Sequence, residues 1–163
     1  MKMKIQILWF KKDLRVIDHM PLVRACENKI PVLPIYLIEP SFWKQPFSSK
    51  RHWSFIRDCL IDLQRDLIIL KSKLHVEIAE ALNFFDEINQ KFKICSILSH
   101  EETGNNWVLS RNTQVQNWCK TKNINFNEYP NNGVVRNLDN RDKWSQIKKN
   151  RLNLPILDKP NEI

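Results

Sequence analysis

Five short apolar runs recur along this sequence, and the stretches between them change period. Residues 5–10, 32–38, 74–78, 94–99 and 124–128 have the length and the β-branched and aromatic content of buried strands. Between them apolar residues return at steps of three and four. Trp53, Ile56, Leu60, Leu63, Leu67 and Leu70 line one face of a long helix, with Ser48 or Ser49 as its cap. Ala81, Phe85, Ile88 and Phe92 line a third helix, and Val108, Val115, Trp118 and Cys119 mark a fourth that begins near Thr103. A first helix carries Leu22, Val23 and Cys26, with Asp18 as its expected cap and Pro21 in its first turn. Strands alternating with helices imply a parallel sheet, because each parallel return needs a crossover. The expected fold is a three-layer α/β structure with a five-stranded parallel sheet of order 3-2-1-4-5 and helices on both faces. Pro34 lies inside the second run and lacks a ladder donor, so it belongs near that strand's start or at an unpaired position.

Open parallel sheets bind ligands beyond the carboxyl ends of their strands, where the strand order reverses. Here that point lies between strands one and four. Strand one ends in Lys-Lys-Asp-Leu-Arg (residues 11–15), and strand four ends in Ser-His-Glu-Glu-Thr-Gly-Asn-Asn (residues 99–106). A cationic loop facing an acidic, amide-bearing loop makes a polar crevice, to which the start of the fourth helix adds free N–H groups. The architecture is Rossmann-like, yet the glycine fingerprint is missing. Gly104 and Gly133 are the only glycines in the chain, so neither G-x-G-x-x-G nor a P-loop is spelled here.

Other chemistries fail on spacing. His100-Glu101-Glu102 begins like a zinc protease helix, but Gly104 stands where the second histidine is required. No G-x-S-x-G elbow occurs. Adjacent Glu101 and Glu102 point in different directions and make no acid/base pair. His19, His52, His75 and His100 read as surface or capping residues, with His100 the best functional candidate. Cys26, Cys59, Cys95 and Cys119 include no C-x-x-C pair, so no metal site is expected and the thiols read as small packing residues. The net charge of +8 suits a nucleic-acid partner, but the basic residues are scattered along the chain. No run of about 18 apolar residues and no leader pattern occurs, so no membrane partner and a cytoplasmic location are expected. At 163 residues a core of ordinary size is available without staples. Residues 1–130 read as the α/β domain, and 131–163, rich in Asn, Pro and charge, as an exit segment or a packing tail.

The stretch Trp-Phe-Lys-Lys-Asp-Leu-Arg-Val-Ile-Asp-His-Met-Pro-Leu (residues 9–22) resembles the N-terminal signature of the DNA photolyase/cryptochrome family, W-F-[RK]-[RK]-D-L-R-x-x-D-N-x-x-L. Trp9, Phe10, Lys11, Lys12, Asp13, Leu14, Arg15, Asp18 and Leu22 fall on the pattern; His19 and Met20 depart from it. Residues 48–67 resemble the family's long second helix, and residues 99–119 the strand-four end and fourth helix of one bacterial branch. Residues 132–144 resemble the segment that leads out of the N-terminal domain, so the likeness runs from Lys4 to about Trp144. It implies an N-terminal domain that holds a light-harvesting antenna chromophore: a folate, a deazaflavin or a second flavin. A larger C-terminal helical domain would bind FAD and damaged DNA and lies outside this sequence. The parent would be a deoxyribodipyrimidine photolyase that repairs pyrimidine dimers with light, and this fragment alone would not be catalytic. By the resemblance, Glu101 matches an acidic position near the pigment and Arg51 a basic one, with Lys11, Lys12, His100 and Asn105 close by. Phe10, Phe42 and Trp43 would supply apolar walls, and Asp13 and Arg15 would pair with each other or with neighbouring loops.

Three alternatives stay open at this point. The parent is a signalling cryptochrome, the chain is a stand-alone nucleotide-binding α/β domain, or it is a basic DNA-binding module without pigment. A continuous cationic face with free aromatic rings would mark the last of these.

Overall fold

The computed structural model describes residues 2–136 and 138–163. Its elements run β1 (Lys4–Phe10), α1 (Met20–Cys26), β2 (Val32–Leu37), α2 (Pro40–Trp43), α3 (Lys50–Ile69), β3 (His75–Glu77), α4 (Ala81–Lys91), β4 (Lys93–His100), α5 (Asn106–Lys122) and β5 (Asn125–Tyr129). A 3₁₀ turn (Arg141–Lys143) and α6 (Trp144–Leu152) follow. All strand pairs are parallel, in the order β3-β2-β1-β4-β5. The expected fold class is therefore the observed one.

Strand alternation builds two cores from one sheet. On β1, Ile5, Ile7 and Trp9 face α4 and α5, where they meet Phe84, Phe85, Val115 and Cys119. Leu8 and Phe10 face the other way, onto Leu22 of α1 and Leu60, Leu63 and Leu67 of α3. Gln6 shares that second face without being apolar. Its amide nitrogen donates to the carbonyls of Ala25 and Ile30, and its oxygen accepts from the Ser96 hydroxyl, so the buried amide is satisfied. The β1–β4 register shifts after Ile5, which pairs with Ile94, because Gln6 pairs with Ser96 and leaves Cys95 as an extra residue.

Pro34 sits in β2 opposite Leu8. The Gln6 N–H donates to the Pro31 carbonyl, and the Ile38 N–H donates to Glu77 on β3. Alternation therefore turns the Pro34 nitrogen toward the β3 side. β3 begins only at His75, opposite Ile35. Its missing N–H thus faces a place where no ladder has started.

Helix starts follow local chemistry, with two corrections. Ser49 caps α3 by accepting from the His52 N–H, as expected. α1 is capped by His19, not Asp18: the His19 Nδ1 accepts the Leu22 N–H at 3.1 Å. Asp18 instead adopts a left-handed φ of 52° that turns the chain ahead of the helix. α5 begins at Asn106 rather than near Thr103, because the Asn105 side chain supplies the cap to Val108.

Residues 138–163 include α6 and then return across the α1–α3 face. The Asp18 N–H donates to the Leu157 carbonyl at 2.8 Å, the Ile163 N–H donates to the Leu70 carbonyl at 2.9 Å, and Lys71 pairs with Glu162. No helix among the described residues is long and apolar enough to cross a membrane.

Candidate functional site

The carboxyl ends of β2, β1 and β4 open onto a crevice walled by aromatic rings and floored by buried charge. α2 forms because Glu39 and Pro40 turn the chain directly after β2, with proline in the first turn where no N–H is needed. That turn presents Phe42 and Trp43. Phe42 packs edge-on against Trp43, Phe47 and Trp107 at centroid distances of 5.5, 5.3 and 5.1 Å. Trp43 packs against Trp53 of α3. Trp107 and Arg111 stand one turn apart at the start of α5, so a single helix face brings an indole and a guanidinium to the same spot.

The charges form a chain across the floor. Arg111 donates from Nη1 to the Glu39 carboxylate at 2.5 Å and from Nη2 to the Glu102 carboxylate. Its guanidinium carbon lies 4.6 Å from the Trp9 ring centroid and 5.3 Å from that of Trp107. Lys11 is buried, with Nζ 4.7 Å from the Trp9 centroid, 3.5 Å from Glu102 and 3.7 Å from Glu128. Burial pushes the Lys11 ammonium below its ordinary value, against the pull of Glu102 and Glu128. Burial likewise pushes the Glu39 carboxyl up to about 7, while Arg111 draws it down. Lys11 Nζ and Arg111 Nε are both buried without a hydrogen-bond acceptor. The pocket encloses about 60 Å³ beneath a wider mouth.

A second polar cluster lies behind the crevice. Alternation along β4 carries His100 onto the face shared by Leu8 and Phe10, where α1 begins. There Asp13 Oδ2 lies 2.7 Å from His19 Nε2 and 2.5 Å from His100 Nδ1, and Asp13 Oδ1 accepts the Lys11 N–H at 3.0 Å. All three side chains are buried. Burial raises the Asp13 carboxyl, but bonds from both imidazoles outweigh it and hold the group well below the usual carboxylate range. Burial pushes His19 below its ordinary value. Three such ligand atoms within 4.8 Å resemble a metal site. The His19 tautomer argues against one: Nδ1 accepts the Leu22 N–H, so neutral His19 carries its proton on Nε2, where a metal would need a lone pair. The cluster is a brace tying the end of β1 to α1 and β4.

The structure brings Phe10, Lys11, Lys12 and Trp43 together at the crevice. It sets the other expected site residues elsewhere. Glu101 turns toward the C-terminal segment, 3.5 Å from both Arg136 and Arg151. Arg51 is exposed on α3, where its neighbour His52 lines the crevice instead. Asn105 is the α5 cap, and His100 belongs to the Asp13 brace. His19 is a cap, one of the two roles expected of it, but both it and His100 are buried rather than at the surface. Asp13 does not pair with Arg15, whose guanidinium donates to the Ile17 and Asp18 carbonyls and to Asn131.

Glu39, Glu102, Trp107 and Arg111 complete the crevice; Glu102 lies in the 99–106 stretch expected to wall it, and the other three were not among the expected residues. Two signals bear on those three. Glu39 follows the carboxyl end of β2 directly, as Lys11 follows that of β1. Trp107 and Arg111 share the i, i+4 spacing of one helix face.

The sequence profile described as DNA photolyase matches residues 6–147. A chloroplastic/mitochondrial cryptochrome DASH of Solanum lycopersicum is 26% identical over 139 residues, covering 82% of this chain and 23% of that protein. A deoxyribodipyrimidine photo-lyase of Buchnera aphidicola is 26% identical over 137 residues, covering 83% of this chain and 28% of its own length. The chain thus spans about a quarter of these relatives. A bacterial class III photolyase from Agrobacterium tumefaciens superposes with a TM-score of 0.82 at 17% identity, over 100% of this chain and 35% of that one. An archaeal photolyase from Sulfolobus tokodaii, solved with two FAD molecules, gives 0.73 at 21% identity, over 97% of this chain and 37% of that one. The profile match covers most of the chain, including the three strand ends that build the crevice, and on that ground the chain belongs to the DNA photolyase family.

Proposed function

We propose that this chain is the antenna-bearing α/β domain of a light-driven DNA photolyase, and that the aromatic crevice is where it holds a flat conjugated chromophore. The observation that carries this reading is the pairing of indole and phenyl walls with two buried donors, Lys11 Nζ and Arg111 Nε, that lack acceptors. A heteroaromatic ring needs apolar faces and a few fixed polar partners at its edge. The residues proposed to hold it are Phe10, Lys11, Lys12 and Trp43, joined by Glu39, Glu102, Trp107 and Arg111. When bound, the pigment would absorb light and pass the excitation to a flavin. The FAD site, the damaged-DNA site and the repair of pyrimidine dimers would belong to a helical domain of the same protein outside this sequence. Cryptochrome relatives keep a signalling parent as the second reading.

The test is an absorption and fluorescence titration of the protein with a folate, a deazaflavin and a flavin. A saturable complex is expected with one of them, weakened by Glu102→Gln and by Lys11→Met and unaffected by Glu101→Ala. A protein that binds none of the three would overturn the antenna reading. Light-dependent loss of cyclobutane dimers by a protein carrying this domain together with its helical partner would favour the photolyase over the cryptochrome.

A further inference from the structure

Because all five strands run the same way, the four returns from helix to strand and the start of β1 meet at one pole of the sheet. Each of them carries lysine. Lys2 and Lys4 open β1, Lys29 precedes β2, and Lys71 and Lys73 precede β3. Lys91 and Lys93 flank the passage from α4 to β4, and Lys120 and Lys122 stand in the last turn of α5, ahead of β5. All nine are exposed. Glu27 is the one carboxylate in these five segments (residues 2–4, 27–31, 70–74, 89–93 and 120–125), and it pairs with Arg24. The remaining 17 basic and 17 acidic residues of the chain cancel, so the formal charge of +8 resides at this pole. Lysines that are scattered in sequence are gathered by topology.

Helix-end electrostatics accounts for Lys91, Lys120 and Lys122, which sit beside the last carbonyls of α4 and α5. Lys71, Lys91 and Lys122 also have carboxylates, Glu162, Glu87 and Asp86, and Lys2 donates to the Asn89 carbonyl. Among the described residues, Lys4, Lys29, Lys73, Lys93 and Lys120 have no carboxylate within 4.0 Å. Lys4 and Lys93 are direct partners in the β1–β4 register. Like charges are thus held side by side, at a cost that a polyanion would remove.

We propose that this pole is a docking face for an anionic lipid bilayer. Its charges spread in two directions. Lys91, Lys120 and Lys122 belong to the α4–α5 layer, Lys29 and Lys71 to the α1–α3 layer, and Lys4 and Lys93 to the sheet between them. Such a face meets a plane over its whole area, and a cylinder such as duplex nucleic acid only along a strip. All nine cations are lysine, whereas the rest of the chain holds nine arginines and eight lysines. Lysine acts as a point charge and lacks the planar fork with which arginine reads a fixed phosphate. It suffices where headgroups can diffuse beneath each charge. Met3 is 56% exposed between Lys2 and Lys4 on the central strand, so an apolar side chain stands mid-face. No exposed aromatic ring occurs in the five segments to stack on bases. Adsorption of this kind needs no spanning helix. The crevice opens at the other end of the strands, about 20 Å away for a seven-residue β1, and would keep its mouth in water.

The experiment uses the whole chain and extruded vesicles of phosphatidylcholine, with and without about 30% phosphatidylserine, in about 0.1 M salt. Cosedimentation should show saturable binding to the anionic vesicles alone, weakening as salt rises. A lysine near an anionic surface is worth about fivefold, so Lys29→Gln/Lys73→Gln/Lys93→Gln should bind about a hundredfold more weakly. Lys44→Gln/Lys50→Gln/Lys149→Gln removes the same charge from exposed positions outside the pole and should lose less than about tenfold. Both triple variants should keep the wild-type circular dichroism. Should the first lose it, Lys93→Gln alone serves, with an expected loss of about fivefold. Absence of binding to the anionic vesicles, or equal losses in the two triple variants, would overturn the docking face. So would an undamaged DNA duplex that strips the protein from the vesicles at equal concentration of negative charge, which would assign the pole to nucleic acid. None of these outcomes depends on what the crevice binds.

Discussion

Replacing Asp13 by Asn changes one atom type in the buried brace and should cost a large share of the stability of this fold. Asp13 Oδ1 accepts the Lys11 N–H, and an asparagine oxygen can keep that bond. The other position then presents an NH₂ group to His19 Nε2 and His100 Nδ1, which now lie 2.7 and 2.5 Å from Oδ2. His100 can shift its proton to Nε2 and accept from the new amide. His19 cannot, because its Nδ1 is occupied by the Leu22 N–H that caps α1. One buried donor is left facing another. Leaving a buried donor unsatisfied costs about 1–3 kcal/mol, and losing a charge-assisted bond adds a similar amount, so the sum is about 2–6 kcal/mol. For a domain of this size that corresponds to a fall in Tm of roughly 4–24 °C. Urea unfolding at pH 7.5, followed by circular dichroism, should show a lower midpoint with an unchanged slope. The double variant Asp13→Asn/His19→Asn should recover part of the loss, because it removes the stranded donor and keeps a capping oxygen. A loss below about 0.5 kcal/mol, or strictly additive effects in the double variant, would refute the tautomer argument.

Two further outcomes follow from the same structure. Burial depresses the His19 pKa, so neutral His19 contributes stability that is present above its unfolded value of about 6.5 and is lost as pH falls toward the folded value. His19→Asn should remove that decline, a difference in slope of at most about 1.4 kcal/mol per pH unit; Glu39 contributes the opposite slope in both proteins and cancels in the comparison. Equal slopes for the two proteins between pH 6.5 and 5 would contradict this. Cys119 is 1% exposed and its thiol is pushed up to about 12 by burial, so it should react with a thiol reagent only on unfolding, well after the half-buried Cys26, Cys59 and Cys95.

His19 shows how far one position can be read in advance. The family pattern carries asparagine there, and in this chain the imidazole Nδ1 does what an asparagine oxygen would do at a helix start. The departure from the pattern therefore keeps the cap and adds a second nitrogen, which reaches Asp13. That second contact joins residues 13 and 19 to residue 100, and nothing local to residues 9–22 encodes it. Glu101 and Glu102 make the same point. Adjacent in sequence and equal in chemistry, they part at the end of β4, one toward Arg136 and Arg151, the other toward Arg111 and Lys11.

The strands, their order, the two helix layers and the crevice at the carboxyl ends were all legible in the order of residues. Each follows from period, from turn chemistry or from the geometry of parallel crossovers, and these act over a few residues or over whole elements. Which charged side chains meet in the crevice was decided by tertiary structure alone. Glu39, Glu102 and Arg111 come from three separate segments, and an ion pair forms where three backbones hold its partners within a few ångströms, a distance that sequence separation does not encode.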